Sequence, residues 1–223
     1  MEESLLMQSA LFRGISLKEA AAVLQCLQAV ERSYPKGALI CRQGEPVQAA
    51  GLLLSGEVHI VQDDLWGKES ILSRVGPGEL FSEAYAAVPG TVSLVNAIAA
   101  RESRVLLLSV ARAMQPCAHA CPFHGQLVRN FLACMAEKSL RLAQKITHTL
   151  PKTIRGRVLS YLSAEAIRQG GRSFTIPFSR QQLADYLCVE RSALSAELSK
   201  MRQDGLIDFH KSAFSLKVQH MEY

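Results

Sequence analysis

Residues 123–149, FHGQLVRNFLACMAEKSLRLAQKITHT, contain no proline and a single glycine near the start. An α-helix of that length runs about 40 Å at ~1.5 Å per residue. Val128, Phe131, Met135 and Leu142 recur along it at steps of three and four, with a gap at Lys138, and form an a/d-type stripe. Such a stripe packs either on its own chain or on a second copy. The helix is longer than one small domain can cover, so the expectation is a homodimer seam. Pro151 ends the helix, because its ring removes the N–H that the next turn needs. The expected division is a sensor domain over 1–122, a dimerisation helix over 123–150 and a third domain over 151–223.

Before the helix the texture is different. SLKEAAAVLQCLQAV (16–30) has helical apolar spacing behind a serine cap. From about residue 34 to 110 come short apolar runs: ALIC, GLLLSGEVHIVQ, KESILSRV, SLVNAIAA and RVLLLSV. Glycine- and proline-bearing turns separate several of them, among them QGEP, VGPGE and VPGT. Short strands punctuated in this way predict a small antiparallel barrel or sandwich.

After Pro151 the pattern predicts a helix over 154–168, a strand in SFTIPF, two helices, and a hairpin from LIDFH and AFSLKV. Ser179 and Gln182 fit a capping box ahead of the first of the two helices. Leu183, Ala184 and Leu187 form its buried face, and Cys188–Val189–Glu190 a short turn. The second helix buries Leu194, Leu198 and Met201 and leaves Arg191, Ser192, Ser195, Ala196 and Ser199 on its surface. A polar face of this kind is either solvated or reads DNA in a major groove, where an arginine grips guanine O6 and N7. The charge agrees in sign with the second reading. Residues 151–223 carry eleven Lys/Arg against seven Asp/Glu, four of the chain's net five positive charges.

Barrel, long helix, proline break and winged helix–turn–helix, in that order, resemble the cyclic-AMP receptor protein and fumarate–nitrate reduction regulator (Crp/Fnr) superfamily over roughly residues 10–218. YPKGALICRQGEPVQAAGLLLSGEVHIV, VGPGELFSEAY and LADYLCVERSALSAELSKMRQDGLIDF carry the resemblance. It implies an α+β fold: a cyclic-nucleotide-binding-type β-roll (a jelly-roll barrel), the dimerisation helix and a C-terminal winged helix–turn–helix. It further implies a homodimeric transcription regulator that binds double-stranded DNA, and RNA polymerase if it activates.

By the resemblance, Arg191 is the guanine reader, with Ser192 and Ser195 beside it. Ser192 and Ala196 stand where the cyclic-AMP protein has a glutamate and a second arginine, so the operator is expected to differ. Ser179, Arg180, Gln181 and Lys200 are expected at the DNA, with Arg180 and Gln181 on phosphates; Arg202 is a further candidate. The expected effector pocket contains Phe81, Glu83, Tyr85, Ser93, Leu94 and Asn96. Cyclic-nucleotide binders hold the phosphate with an Arg–Ser pair about ten residues after a glutamate. Glu83 matches that glutamate, but the pair here is Ser93–Leu94, and no Lys or Arg lies between Arg74 and Arg101. A desolvated phosphate without a charged partner is costly. The expected effector is therefore a small molecule other than cyclic AMP or cyclic GMP.

The six cysteines read as reduced thiols rather than a disulfide framework. The N-terminal cysteine cluster of the family's iron–sulfur sensors is missing. CAHACPFH places Cys117, His119, Cys121 and His124 within eight residues, so Cys117 and Cys121 are weak metal candidates or a thiol redox pair. Haem through His119, His124 or His148 has no specific signature. No phosphate-gripping loop or catalytic motif occurs, which predicts no enzyme activity. An acidic N-terminus and the lack of an 18-residue apolar run predict a cytoplasmic protein without a membrane partner. Two other readings stay open: a ligand-binding adaptor with a purely structural helix–turn–helix, and a thiol- or haem-based redox regulator.

Overall fold

The structure, a computed structural model, describes residues 3–64, 66–67, 69–115 and 123–217. It divides into two compact units that part between Glu137 and Lys138. The break predicted at Pro151 falls inside the second unit.

The first unit opens with α1 (Glu3–Gln8), a 3-10 turn (Ala10–Phe12) and α2 (Leu17–Cys26). Ser16 and Glu19 close a capping box on α2. The helix predicted to reach residue 30 stops at Cys26, and Gln28 turns out of it with φ of 49°. Val30 instead opens a strand, β1 (Val30–Tyr34), whose mostly exposed residues carry no apolar signal. Seven more strands follow: β2 (Leu39–Cys41), β3 (Ala50–Ser55), β4 (Val58–Asp63), β5 (Glu69–Val75), β6 (Leu80–Phe81), β7 (Asn96–Ala99) and β8 (Ser103–Leu108). They form two antiparallel sheets, β1-β8-β3-β6 and β2-β7-β4-β5.

The unbroken apolar runs GLLL and VLLL have a physical reason. β3 and β8 pair along Ala50–Ser55 and are covered on both faces. Leu52, Leu54, Leu106 and Leu108 point into a cluster with Phe12, Ile15, Val23 and Leu27 of the N-terminal segment. Leu53 and Val105, one residue out of phase, pack between the sheets with Val58, Phe81 and Ala97. Gly56, with φ of 95°, turns β3 into β4; a Cβ there would collide with the Glu102 carbonyl oxygen and the Ser103 hydroxyl. Three short helices were not legible in the sequence: α1, α3 (Glu83–Ala87) and α4 (Val110–Ala113).

The long helix α5 runs from His124 to Thr149, as predicted. Within the first unit, Asn130 donates to the carbonyls of Leu11 (2.9 Å) and Arg13 (2.8 Å), and His124 Nε2 bonds Ala113 O at 2.9 Å. Leu127 and Phe131 are buried there, and Met135 packs against the same cluster.

The second unit adds α6 (Ile154–Gln169), β9 (Ser173–Thr175), α7 (Arg180–Tyr186), α8 (Arg191–Gln203), β10 (Ile207–His210) and β11 (Ala213–Leu216). Thr153 caps α6, and Gly170 closes it in the left-handed conformation with φ of 70°. The strands form one antiparallel sheet, β10-β11-β9. Leu162, Leu183, Leu187, Leu194, Leu198 and Met201 are fully buried, so α6, α7 and α8 share one core with the sheet.

Candidate nucleic-acid interface and sensor cavity

The capping box expected at α7 is present: Ser179 accepts from Gln182 N, and the Gln182 side chain accepts from Ser179 N at 2.8 Å. The turn into α8 is tight because Cys188 takes the left-handed conformation, with φ of 54°. Arg157 of α6 braces it. Its guanidinium donates to Leu187 O (3.0 Å), Cys188 O (3.1 Å) and Pro151 O (2.9 Å). Arg155, two residues earlier, forks to Glu197 at 2.6 Å and Asp204 at 2.7 Å, which ties α8 to α6. Those carboxylates raise the Arg155 pKa further. Neither arginine was singled out from the sequence, because apart from Pro151 the groups they meet lie thirty or more residues away.

With Leu194, Leu198 and Met201 at 0% exposure, helical geometry turns Arg191, Ser192, Ser195, Ala196 and Lys200 outward, and all five are exposed. Arg191 occupies the first turn of α8, and its side chain makes no hydrogen bond or ion pair among the described residues. Ser195 donates to Arg191 O (2.9 Å) and Ser199 to Ser195 O (3.0 Å), which leaves their hydroxyl oxygens free only to accept.

Arg180 departs from the expectation of a free phosphate ligand. It is half-buried over the wing, 5.1 Å from the Phe209 ring and 5.7 Å from that of Phe214, and it donates to Lys211 O at 3.4 Å. Burial lowers its pKa. Its first role is to hold the β10–β11 wing against α7. Gln181 is exposed but donates to Asp185 at 2.8 Å. Arg202 lies 5.0 Å over Phe209. Lys211, at the wing tip with φ of 54°, is an exposed cation beside the α7 start that the sequence reading passed over.

In the first unit a cavity of about 170 Å³ lies against Cys41, Arg42, Pro46, Gly51 and Ser82. Of the six residues expected around the effector, only Phe81 lines it. Ser93 is at 0% exposure, and its hydroxyl donates to Val95 O at 2.6 Å. Asn96 accepts from Gln43 N and donates to Asp63, both at 2.8 Å. These two polar residues are structural cross-links. Glu83 is buried and Tyr85 half-buried on α3, while Leu94 is 63% exposed. Arg42 is the one cation in the lining among the described residues, and Glu45 meets it at 3.4 Å.

Of the four stripe residues, Phe131 and Met135 serve their own unit's core, Val128 is half-buried and Leu142 is 62% exposed. The outward apolar residues of α5 are instead Leu132, Leu140, Leu142 and Ile146. Cys117, His119 and Cys121 lie outside the described residues. Among the described residues no three His, Cys, Asp or Glu side chains cluster as a metal site, and no helix is long and apolar enough to cross a membrane.

A double-sheet sensor-type roll and a winged helix–turn–helix with an outward, arginine-led second helix define a DNA-binding regulator. Comparison with known proteins agrees. Residues 31–118 match the family model for a cyclic nucleotide-binding domain, and residues 156–222 the model for a Crp-like helix–turn–helix domain. The chain is 31% identical over 201 residues to the cyclic AMP receptor protein of Thermus thermophilus, covering 89% of this chain and 88% of that one. It is 22% identical over 206 residues to the CRP-like cAMP-activated global transcriptional regulator of Mycobacterium tuberculosis, covering 92% and 91%. The structure of the c-di-GMP responsive global regulator of Xanthomonas campestris matches the fold with a TM-score of 0.55 at 18% identity, covering 92% of this chain and 100% of that one. The chain belongs to the Crp/Fnr family of transcription regulators.

Proposed function

We propose that the protein is a homodimeric, sequence-specific DNA-binding regulator whose sensor unit answers to something other than a cyclic nucleotide. The observation that carries the DNA reading is the outward face of α8. Arg191 reads guanine there, Ser192 and Ser195 permit close approach, and Ser179, Gln181, Lys200 and Lys211 lie toward the phosphates. Arg180 contributes by stiffening the wing. Two α8 helices about 34 Å apart fit successive major grooves. α5 supplies the pairing, through the face of Leu132, Leu142 and Ile146 rather than through Phe131 and Met135.

The effector reading rests on the sensor cavity. Positions 93 and 94 are a buried serine bonded to Val95 and an exposed leucine, and Arg42, the cavity's one cation among the described residues, is already paired with Glu45. At about 170 Å³ the cavity is also smaller than the 300–1,000 Å³ usual for ligand sites. The relatives named for cyclic AMP make the opposite expectation explicit, so calorimetric titration with cyclic AMP and cyclic GMP decides it. Saturable binding at micromolar nucleotide overturns this reading.

For DNA, Arg191→Ala lowers affinity for the operator by about 1–3 kcal/mol and leaves binding to random duplex nearly unchanged. Gel-shift titrations on both duplexes at two salt concentrations measure this. Equal losses on the two remove Arg191 as a base reader.

A further inference from the structure

A second cavity, of about 490 Å³, lies wholly within the DNA-binding unit. Its walls are aromatic. Tyr161 and Phe178 stack with centroids 5.8 Å apart, Tyr186 tilts against both at 5.4 and 5.1 Å, and His148 meets Tyr161 edge-on at 5.5 Å. His148, 6% exposed, has its Nδ1 engaged by the Tyr186 hydroxyl at 2.9 Å. Tyr161 is 3% exposed, yet its hydroxyl is buried without a hydrogen-bond partner among the described residues. That is an unsatisfied donor, which is costly in a closed core. Burial raises the Tyr161 pKa, so the hydroxyl stays a donor.

The charges around this cavity do not cancel. Arg168 bonds Glu165 at 2.6 Å, Gln169 donates to the same carboxylate at 2.8 Å, and the pair is neutral. Arg141, also in the lining, is exposed and has no partner among the described residues. An occupant that fits therefore has a flat apolar body for the rings and one negative charge for Arg141. We infer that this cavity is a binding site for an aromatic carboxylate of one or two rings. The volume falls within the 300–1,000 Å³ of small-molecule sites, and ring-on-ring packing adds to simple burial. The lining includes Phe178, which precedes α7, and Tyr186, which ends it. An occupant there bears on both ends of the first helix of the DNA-reading pair, separate from any ligand of the sensor unit.

The probe is 1-naphthoate, titrated into the full-length protein and followed by calorimetry and saturation-transfer NMR, with 1-naphthalenemethanol as the uncharged control. The site predicts saturable binding of the carboxylate, favoured over the alcohol by roughly fivefold, the range of an exposed ion pair. Arg141→Gln brings that ratio to about one. Ala164→Phe fills the cavity from its half-exposed rim and abolishes binding, while the thermal melt stays within a few degrees of the parent. The inference is overturned by no saturable binding at millimolar probe, by equal affinity for acid and alcohol, or by binding that survives Ala164→Phe. Operator affinity is titrated separately in each variant, so loss of the ligand and loss of DNA binding are distinguishable.

Discussion

Ile146→Asp tests the pairing on which the regulator reading depends. Ile146 and Leu142 stand four residues apart on α5 and are 59% and 62% exposed. Full burial of such a side chain is worth about 1.5–3 kcal/mol, so covering the exposed three-fifths contributes about 1–2 kcal/mol at each position. A two-fold seam counts each position twice. Ile146→Asp therefore removes about 2–4 kcal/mol of apolar contact and sets two carboxylates into the seam. The expected total of about 3–5 kcal/mol corresponds to a 100- to several-thousand-fold weaker dimer. Because Ile146 is largely exposed in the single chain, the fold itself is expected to change by no more than about 0.5 kcal/mol. Sedimentation equilibrium over a concentration series measures the dimer constant, and circular dichroism confirms the fold. Operator binding falls in step, while a half-site duplex is bound as before. A wild-type protein that sediments as a monomer, or an Ile146→Asp dimer within threefold of the parent, refutes the seam.

Three further outcomes follow from the second unit. Arg157→Leu strips the turn between α7 and α8 of its brace on three carbonyls, with an expected cost of about 2–3 kcal/mol in urea unfolding; Arg157→Lys, lacking the planar fork, recovers little of it. Tyr161→Phe removes the unpaired hydroxyl, so the free protein is expected to be as stable or up to about 1 kcal/mol more stable; a clear loss of stability reveals a hidden partner. Burial, against a weaker opposing pull from Glu165, holds the His148 pKa below its ordinary 6.5. The unfolded chain then binds the proton more readily. Stability is full above about pH 6.5 and declines as pH drops from there toward the folded pKa. Urea midpoints across that window show the slope, and His148→Gln flattens it.

The long helix, the capping box at Ser179 and the faces of α7 and α8 were legible because each follows from local rules: propensity, a three-residue cap spacing and a 3.6-residue period. Most strands of the roll were legible for the same reason; β1 was missed because its exposed residues VERSY hide the alternation a strand normally shows, and β6 because two residues carry no period. The effector residues were placed by analogy along the chain. The fold uses Ser93 and Asn96 to tie loops together instead, a purpose visible only once Gln43, Asp63 and Val95 come beside them.

By itself the sequence determined the order of parts, the kind of fold and the helix that carries Arg191, since these depend on patterns repeated within a few residues. Which side of α5 its own unit covers was decided only by the tertiary structure. Phe131 and Leu132 are neighbours with equal claim to a seam, and the N-terminal segment buries one and leaves the other out. The same holds for the Arg155 fork, the Arg157 brace and the ring-lined cavity. Each joins side chains remote in sequence, and a burial or a charge pairing between them has no local signature.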